Sequence, residues 1–168
     1  MFTIGEKIMY GGTGVCVVEN IVSMKASATS PLREYYVLRP LFQSGTIHAP
    51  VDSDKVPIRA VLSRAETIAL IDRIPGIQAE ACNEKNLSAL RNYYQSQINS
   101  FNCEDLIRMC RGIHIKRREM EARQKKIGLT DEKYLRRARE LLFGEFSVSL
   151  DIPLNTVEEF ISSRLKKA

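Results

Sequence analysis

Three clusters of cations stand out among the side chains able to do chemistry: Lys116-Arg117-Arg118, Lys125-Lys126, and Lys133 with Arg136-Arg137. Residues 108–139 hold 12 basic side chains against 4 acidic ones. Such clusters attract phosphate oxygens by charge and by release of condensed counterions, and they do so without reading bases. The chain divides accordingly. Residues 1–82 carry 8 Lys+Arg and 8 Asp+Glu, while residues 83–168 carry 17 and 12. A neutral half beside a basic half implies a division of labour, with a polyanion as the natural partner of the second. A charge run is also the ordinary make-up of a solvated helix face. A protein-binding adaptor with a solvated basic face is therefore the alternative to a nucleic-acid binder.

Other chemistry finds little support. Gly128-Leu129-Thr130 could be the turn of a helix-turn-helix, as in a sequence-specific repressor, with base contacts on the following helix. Residues 131–145 contain no Asn or Gln to pair with adenine, however. Gly11-Gly12-Thr13-Gly14 lacks the Lys-Ser/Thr of a phosphate-binding loop and leads into a strand pattern, so it reads as a β-turn. The 4 cysteines, Cys16, Cys82, Cys103 and Cys110, are scattered, and only 2 histidines, His48 and His114, accompany them. That pattern suits buried thiols rather than a disulfide framework or a zinc site. No Ser/His/acid order and no paired carboxylates stand out, so no catalytic residue, metal or cofactor is expected.

These residues must be positioned by two kinds of element. The first sixty residues read as β. Ile8-Met9-Tyr10, Val15-Cys16-Val17-Val18, Glu34 to Arg39, Thr46 to Val51 and Lys55 to Ile58 are short strand patterns separated by Gly-bearing or polar turns. Beyond them the pattern turns helical. Ser63 followed by Glu66 predicts a capped helix that stops before Pro75-Gly76. Pro75 to Asn86 reads as a linker. Leu87, Leu90, Tyr94, Ile98 and Phe101 fall three or four apart, one apolar stripe of a second helix. Asn102 and Asp105 open a third, with Leu106, Cys110, Ile113, Met120 and Ile127 inward and Gly128 ending it. Thr130 opens a fourth, and Pro153 lies at the first turn of a last.

Several motifs then resemble one family. Phe2-x-x-Gly5-x-x-Ile8-x-Tyr10, Gly14-Val15-x-x-Val18-Glu19-x-Ile21, Glu34-Tyr35-Tyr36-Val37-Leu38 and Thr46-Ile47-x-x-Pro50-Val51 are similar to the N-terminal domain of CarD/CdnL transcription regulators. Gly128-Leu129-Thr130 and Ala138-Arg139-Glu140-Leu141-Leu142-x-Gly144-Glu145 resemble the end of that family's helical domain. The resemblance implies a Tudor-like β-domain on the RNA polymerase β subunit and a helical domain on double-stranded promoter DNA. That DNA lies at the upstream edge of the melted region, and open-complex stability is what changes. It further implies polymerase contacts at Met24, Lys25, Arg39, Thr46, Ile47 and His48, with His48 and Met24 standing where arginines are usual. The family's helical domain carries a wedge tryptophan in the first turn of its long helix. This chain has no tryptophan; Leu90 falls at that place, with Tyr93 as second candidate, beside Arg91, while the apolar stripe gives Leu90 the competing reading of a core residue.

The expected fold is thus α+β: a small Tudor/SH3-like β-barrel over 1–62, a short helix and linker over 63–86, and an all-α DNA-binding domain over 87–168. A monomer is expected. The chain begins without a basic stretch followed by an apolar one, and it holds no run of about 18 apolar residues. Its expected place is the cytoplasm, at the nucleoid, with no membrane partner.

Overall fold

The computed structural model describes residues 1–167, and these fall into two units, Met1–Val61 and Leu62–Ala168. In the first, five strands form one antiparallel sheet in the order β4-β3-β2-β1-β5: β1 Lys7–Tyr10, β2 Gly14–Lys25, β3 Leu32–Pro40, β4 Ile47–Pro50 and β5 Ile58–Ala60. The sheet curls over an apolar core of Ile8, Cys16, Val18, Tyr36, Leu38 and Ala49. The glycine cluster does make the β1–β2 turn. Gly11 has a φ of 44°, and a Cβ there would meet the Val56 side chain at 2.6 Å, so both conformation and space require glycine.

The second strand runs past Val18, where the sequence pattern fades. A β-bulge between Val18 and Asn20 absorbs the extra residue Glu19 and returns Ile21 and Val22 to register with Tyr36 and Tyr35. The β2–β3 hairpin thereby extends to Lys25 and Leu32.

The second unit contains α1 Arg64–Arg73, α2 Leu87–Asn99, α3 Cys103–Ala122, α4 Leu129–Leu150 and α5 Val157–Lys166. Side-chain caps start three of them. The Ser63 hydroxyl accepts from the Glu66 N–H at 3.1 Å while the Glu66 carboxylate accepts from the Ser63 N–H at 2.8 Å. Asn86 accepts from the Ala89 N–H at 3.1 Å, and Asn102 from the Glu104 N–H at 2.8 Å. One core joins all five helices, including Leu70, Tyr94, Ile113, Phe146 and Val157.

Three boundaries differ from the sequence reading. The stretch 63–86 is part of this unit rather than a spacer ahead of it: Leu70, Ile71 and Ile77 lie in its core. The extended piece after α1 is strapped along α3. Arg111 donates to the carbonyls of Ile74 and Ile77, and Arg108 donates to that of Gln78 at 3.2 Å. A Cβ on Gly112 would meet the Glu80 carbonyl oxygen at 2.6 Å. Next, α3 ends at Ala122, because Gln124 takes a left-handed φ of 58° and the Lys125 N–H turns back to the Met120 carbonyl at 2.8 Å. Ile127 is buried from the loop instead. Finally, Pro153 precedes a 3-10 turn, Leu154–Thr156, and α5 opens only at Val157.

Candidate functional site

Two side-chain pairings fix how α3 and α4 lie: Cys103 with Glu145 at 3.0 Å and Lys116 with Asp131 at 3.0 Å. Partners that advance along α3 retreat along α4, so the helices are antiparallel neighbours. A helix-turn-helix crosses steeply through a turn of three or four residues. Here Leu129 and Thr130 already belong to α4, so the helix-turn-helix alternative loses its geometry.

The first cation cluster divides between core and surface. Lys116 is buried, 8% exposed, and its ammonium donates to Asp131, itself 3% exposed. The same Asp131 oxygen accepts from the Tyr94 hydroxyl at 2.6 Å, and its second oxygen accepts from the Gly128 N–H at 3.2 Å. Burial, followed by the hydrogen bond to Asp131, raises the Tyr94 phenol far above its ordinary range. Lys116 is therefore corrected from a phosphate contact to the tie between α2, α3 and the start of α4. A buried lysine needs such a partner, since an unpaired charge away from water is prohibitively costly.

The remaining predicted cations are at the surface. Arg118, Lys125, Lys126, Lys133 and Arg136 are exposed and carry no ion pair among the described residues. Arg117 is half-buried at the flank of α3, and Arg137, also half-buried, reaches Glu140 at 3.5 Å. Arg123, exposed where α3 ends, joins this set and was missed; its place inside the basic run was the available signal. His114 lies among these cations. Burial first, then the guanidiniums of Arg117, Arg139 and Arg118, hold its imidazole below the ordinary range.

On α2 the packing decides between the two readings of Leu90. Leu90 is 4% exposed and packs in the helical core, so it is corrected from surface wedge to core residue. The apolar side chain that the first turn of α2 presents to solvent is Leu87, 55% exposed. Its spacing from Leu90 put it on the stripe, but it lies one turn before the contact with the core begins. Tyr93 is 41% exposed, and its ring stands 5.6 Å from that of Tyr94, which stands 5.4 Å from Tyr134. Arg91 is exposed on the same helix.

In the β unit, antiparallel register sorts the predicted contact residues by face. Met24 pairs with Arg33, Val37 with His48, and Arg39 with Val17. Met24, Val37, Arg39 and His48 thus share one face of the β2–β3–β4 ribbon. Ile47, opposite Leu38, and Lys25, opposite Leu32, lie on the other. Thr46 is exposed ahead of β4. Ion pairs hold the ribbon from outside: Arg33 with Asp52 at 2.7 Å and Arg39 with Glu19 at 2.5 Å. β4 is an edge strand whose outer backbone has no ladder partner among the described residues.

Residues 2–62 match the family model of the CarD-like/TRCF RID domain. The β unit is a CarD-like RNA polymerase-interacting domain. The match and the first unit coincide to within one residue at each end. The chain is accordingly an RNA polymerase-interacting, transcription-related protein, and the matched region is an interaction domain. No curated protein matches the chain. Among the described residues no helix is long and apolar enough to cross a membrane.

Proposed function

We propose that the CarD-like domain holds the chain on the RNA polymerase β subunit. From there the helical unit contacts double-stranded promoter DNA at the upstream edge of the melted region and alters open-complex lifetime. It acts there as a monomer, in the cytoplasm at the nucleoid. The docking edge is β4, whose free backbone can add to a partner strand, with Met24, Arg39 and His48 on the adjoining face and Lys25, Thr46 and Ile47 around it. Main-chain pairing tolerates the side-chain departures at Met24 and His48.

The observation that carries the DNA half is the set of unpaired, exposed cations from Arg118 through Lys126 to Arg136. They meet phosphates without reading sequence. Arg91, Arg117 and Arg137 flank them. Leu87, in the first turn of α2, takes the wedge role in place of the buried Leu90, and Tyr93, six residues on, supplies an aromatic face. Apolar side chains that lean on a base step hold melted DNA open, and an aromatic face adds about 1–3 kcal/mol per stacked base.

The test is the lifetime of heparin-challenged open complexes with the full chain, with Leu87→Ala and with Tyr93→Ala. Leu87 is 55% and Tyr93 41% exposed, and an unchanged melting temperature of each variant is the control. We expect the protein to change the lifetime and each substitution to reduce that change. An effect unaltered by either substitution would leave the cations alone in charge of DNA. No effect of the parent on any open complex would overturn the reading.

A further inference from the structure

A recess of about 430 Å³ opens between α3, α4 and the 3-10 turn Leu154–Thr156. Its floor is apolar: Leu135, the half-buried Phe143, and Leu154, which is 41% exposed. Three arginines stand around it, Arg117 from α3 and Arg136 and Arg139 from α4. Their states differ. Arg139 lies over the Phe143 ring at 5.2 Å and is paired with Glu158 at 2.6 Å, so it is a fixed wall. Arg117 and Arg136 have no ion pair among the described residues, and they approach the recess from different helices. Of the two acids on the rim, Glu140 is taken by Arg137, which leaves Glu132 as the rim acid with no ion pair among the described residues.

We propose that this recess docks a peptide segment of a protein partner in which one bulky apolar side chain is flanked by a carboxylate. The apolar side chain fills the space over Leu135, Phe143 and Leu154, and the carboxylate bridges Arg117 and Arg136. The volume falls within the range of true ligand sites. Arginine and aromatic side chains around a desolvated pocket are the composition of interface anchors. A DNA backbone would use the arginines but would leave the apolar floor in water, which is why a peptide is the better complement. Glu132 repels a second acid at the α4 N-terminal end, so the segment carries its charge on one side of the anchor.

The test is NMR of the full chain titrated with short amidated peptides bearing one phenylalanine next to aspartates. The controls are the same peptides with lysines and, separately, a DNA duplex. The aspartate peptide is expected to shift the signals of Arg117, Leu135, Phe143 and Leu154. Leu154→Ser, which removes the apolar floor without adding charge, should weaken it by roughly tenfold or more while leaving duplex binding unchanged. If Leu154→Ser lowers the melting temperature, the milder truncation Leu154→Ala carries the same measurement. Equal shifts with the lysine peptide, or none with either, would overturn the proposal. So would a duplex that moves the Phe143 and Leu154 signals as the peptide does; the recess would then belong to the nucleic-acid face.

Discussion

The two units close their cores by different chemistry. In the β unit the core residues are apolar, and its ion pairs, Arg33–Asp52 and Arg39–Glu19, sit on the surface. In the helical unit five polar side chains are buried: Thr67, Lys116, Asp131, Glu145 and Ser147. Each has a partner inside the unit. The Thr67 hydroxyl lies 2.7 Å from that of Ser149, the Ser147 hydroxyl donates to the Ile152 carbonyl at 2.6 Å, and Glu145 accepts from the Leu62 N–H at 3.0 Å. A curled sheet gets its register from backbone ladders. Helices have no ladder between them, and here buried polar pairs specify which turn of one meets which turn of another. The lesson is that a cation in a basic run is read correctly only once its partner in space is known.

That contrast is open to attack, beginning with its strongest element. Asp131→Ala strands the Lys116 charge and should cost about 3–5 kcal/mol in urea unfolding followed by the helical circular dichroism band. The double substitution Lys116→Met, Asp131→Leu should recover most of that loss, because two apolar groups replace two charges. Asp52→Ala, the surface counterpart, should leave the unfolding midpoint where it is. Equal shifts from Asp131→Ala and Asp52→Ala would erase the distinction between the units.

A second break point is the strap. Gly112→Ala drives a methyl group against the Glu80 carbonyl, a backbone atom, so the extended segment must move, at a cost of about 1–3 kcal/mol. The same unfolding experiment measures it. In binding, the double reversal Arg118→Glu, Lys125→Glu should weaken duplex affinity alike for all sequences and flatten the salt dependence by roughly one unit per lost contact. Fluorescence anisotropy across a salt series reads this, and the melting temperature should not move. Loss confined to one sequence would indicate base reading instead.

The smallest effect concerns pH. His114 has a folded pKa below that of the unfolded chain. Above both values the imidazole is neutral in both states and no term arises. As pH falls through the unfolded value of about 6.5, the unfolded chain takes up the proton first and the folded state loses ground. Stability should therefore decline mildly from neutral pH to pH 5, and His114→Gln should flatten part of that slope. A slope identical in parent and variant would remove His114 from the account.

Much of the architecture was legible because it rests on local chemistry. The Ser63/Glu66 capping box, the asparagine caps of α2 and α3 and the glycine turn between β1 and β2 are all encoded within a few residues. The change from strands to helices and the confinement of charge to the second half were equally readable. What escaped depends on partners far away in sequence. Nothing around Lys116 announces Asp131, and the run of three cations points to the surface. The segment after α1 looks like a linker because its ties are its own backbone carbonyls, which every residue has. Leu87 and Leu90 have the same spacing signal, and only the packing separates the one in water from the one in the core.

The clamp of Glu145 on the Leu62 N–H spans 83 positions, and the bidentate pairing of Arg164 with Asp72, at 2.6 and 2.9 Å, spans 92. A ribosome delivers the chain from one end. The β unit has every strand it needs once Ala60 has emerged from the exit tunnel, and its pairings are local hairpins apart from β5. The helix Arg64–Arg73 is made next, yet its partners on α4 and α5 are synthesised only after α2 and α3. During translation the polymerase-interacting module therefore completes before the helical unit, which waits, its first helix undocked, until α4 and α5 have followed.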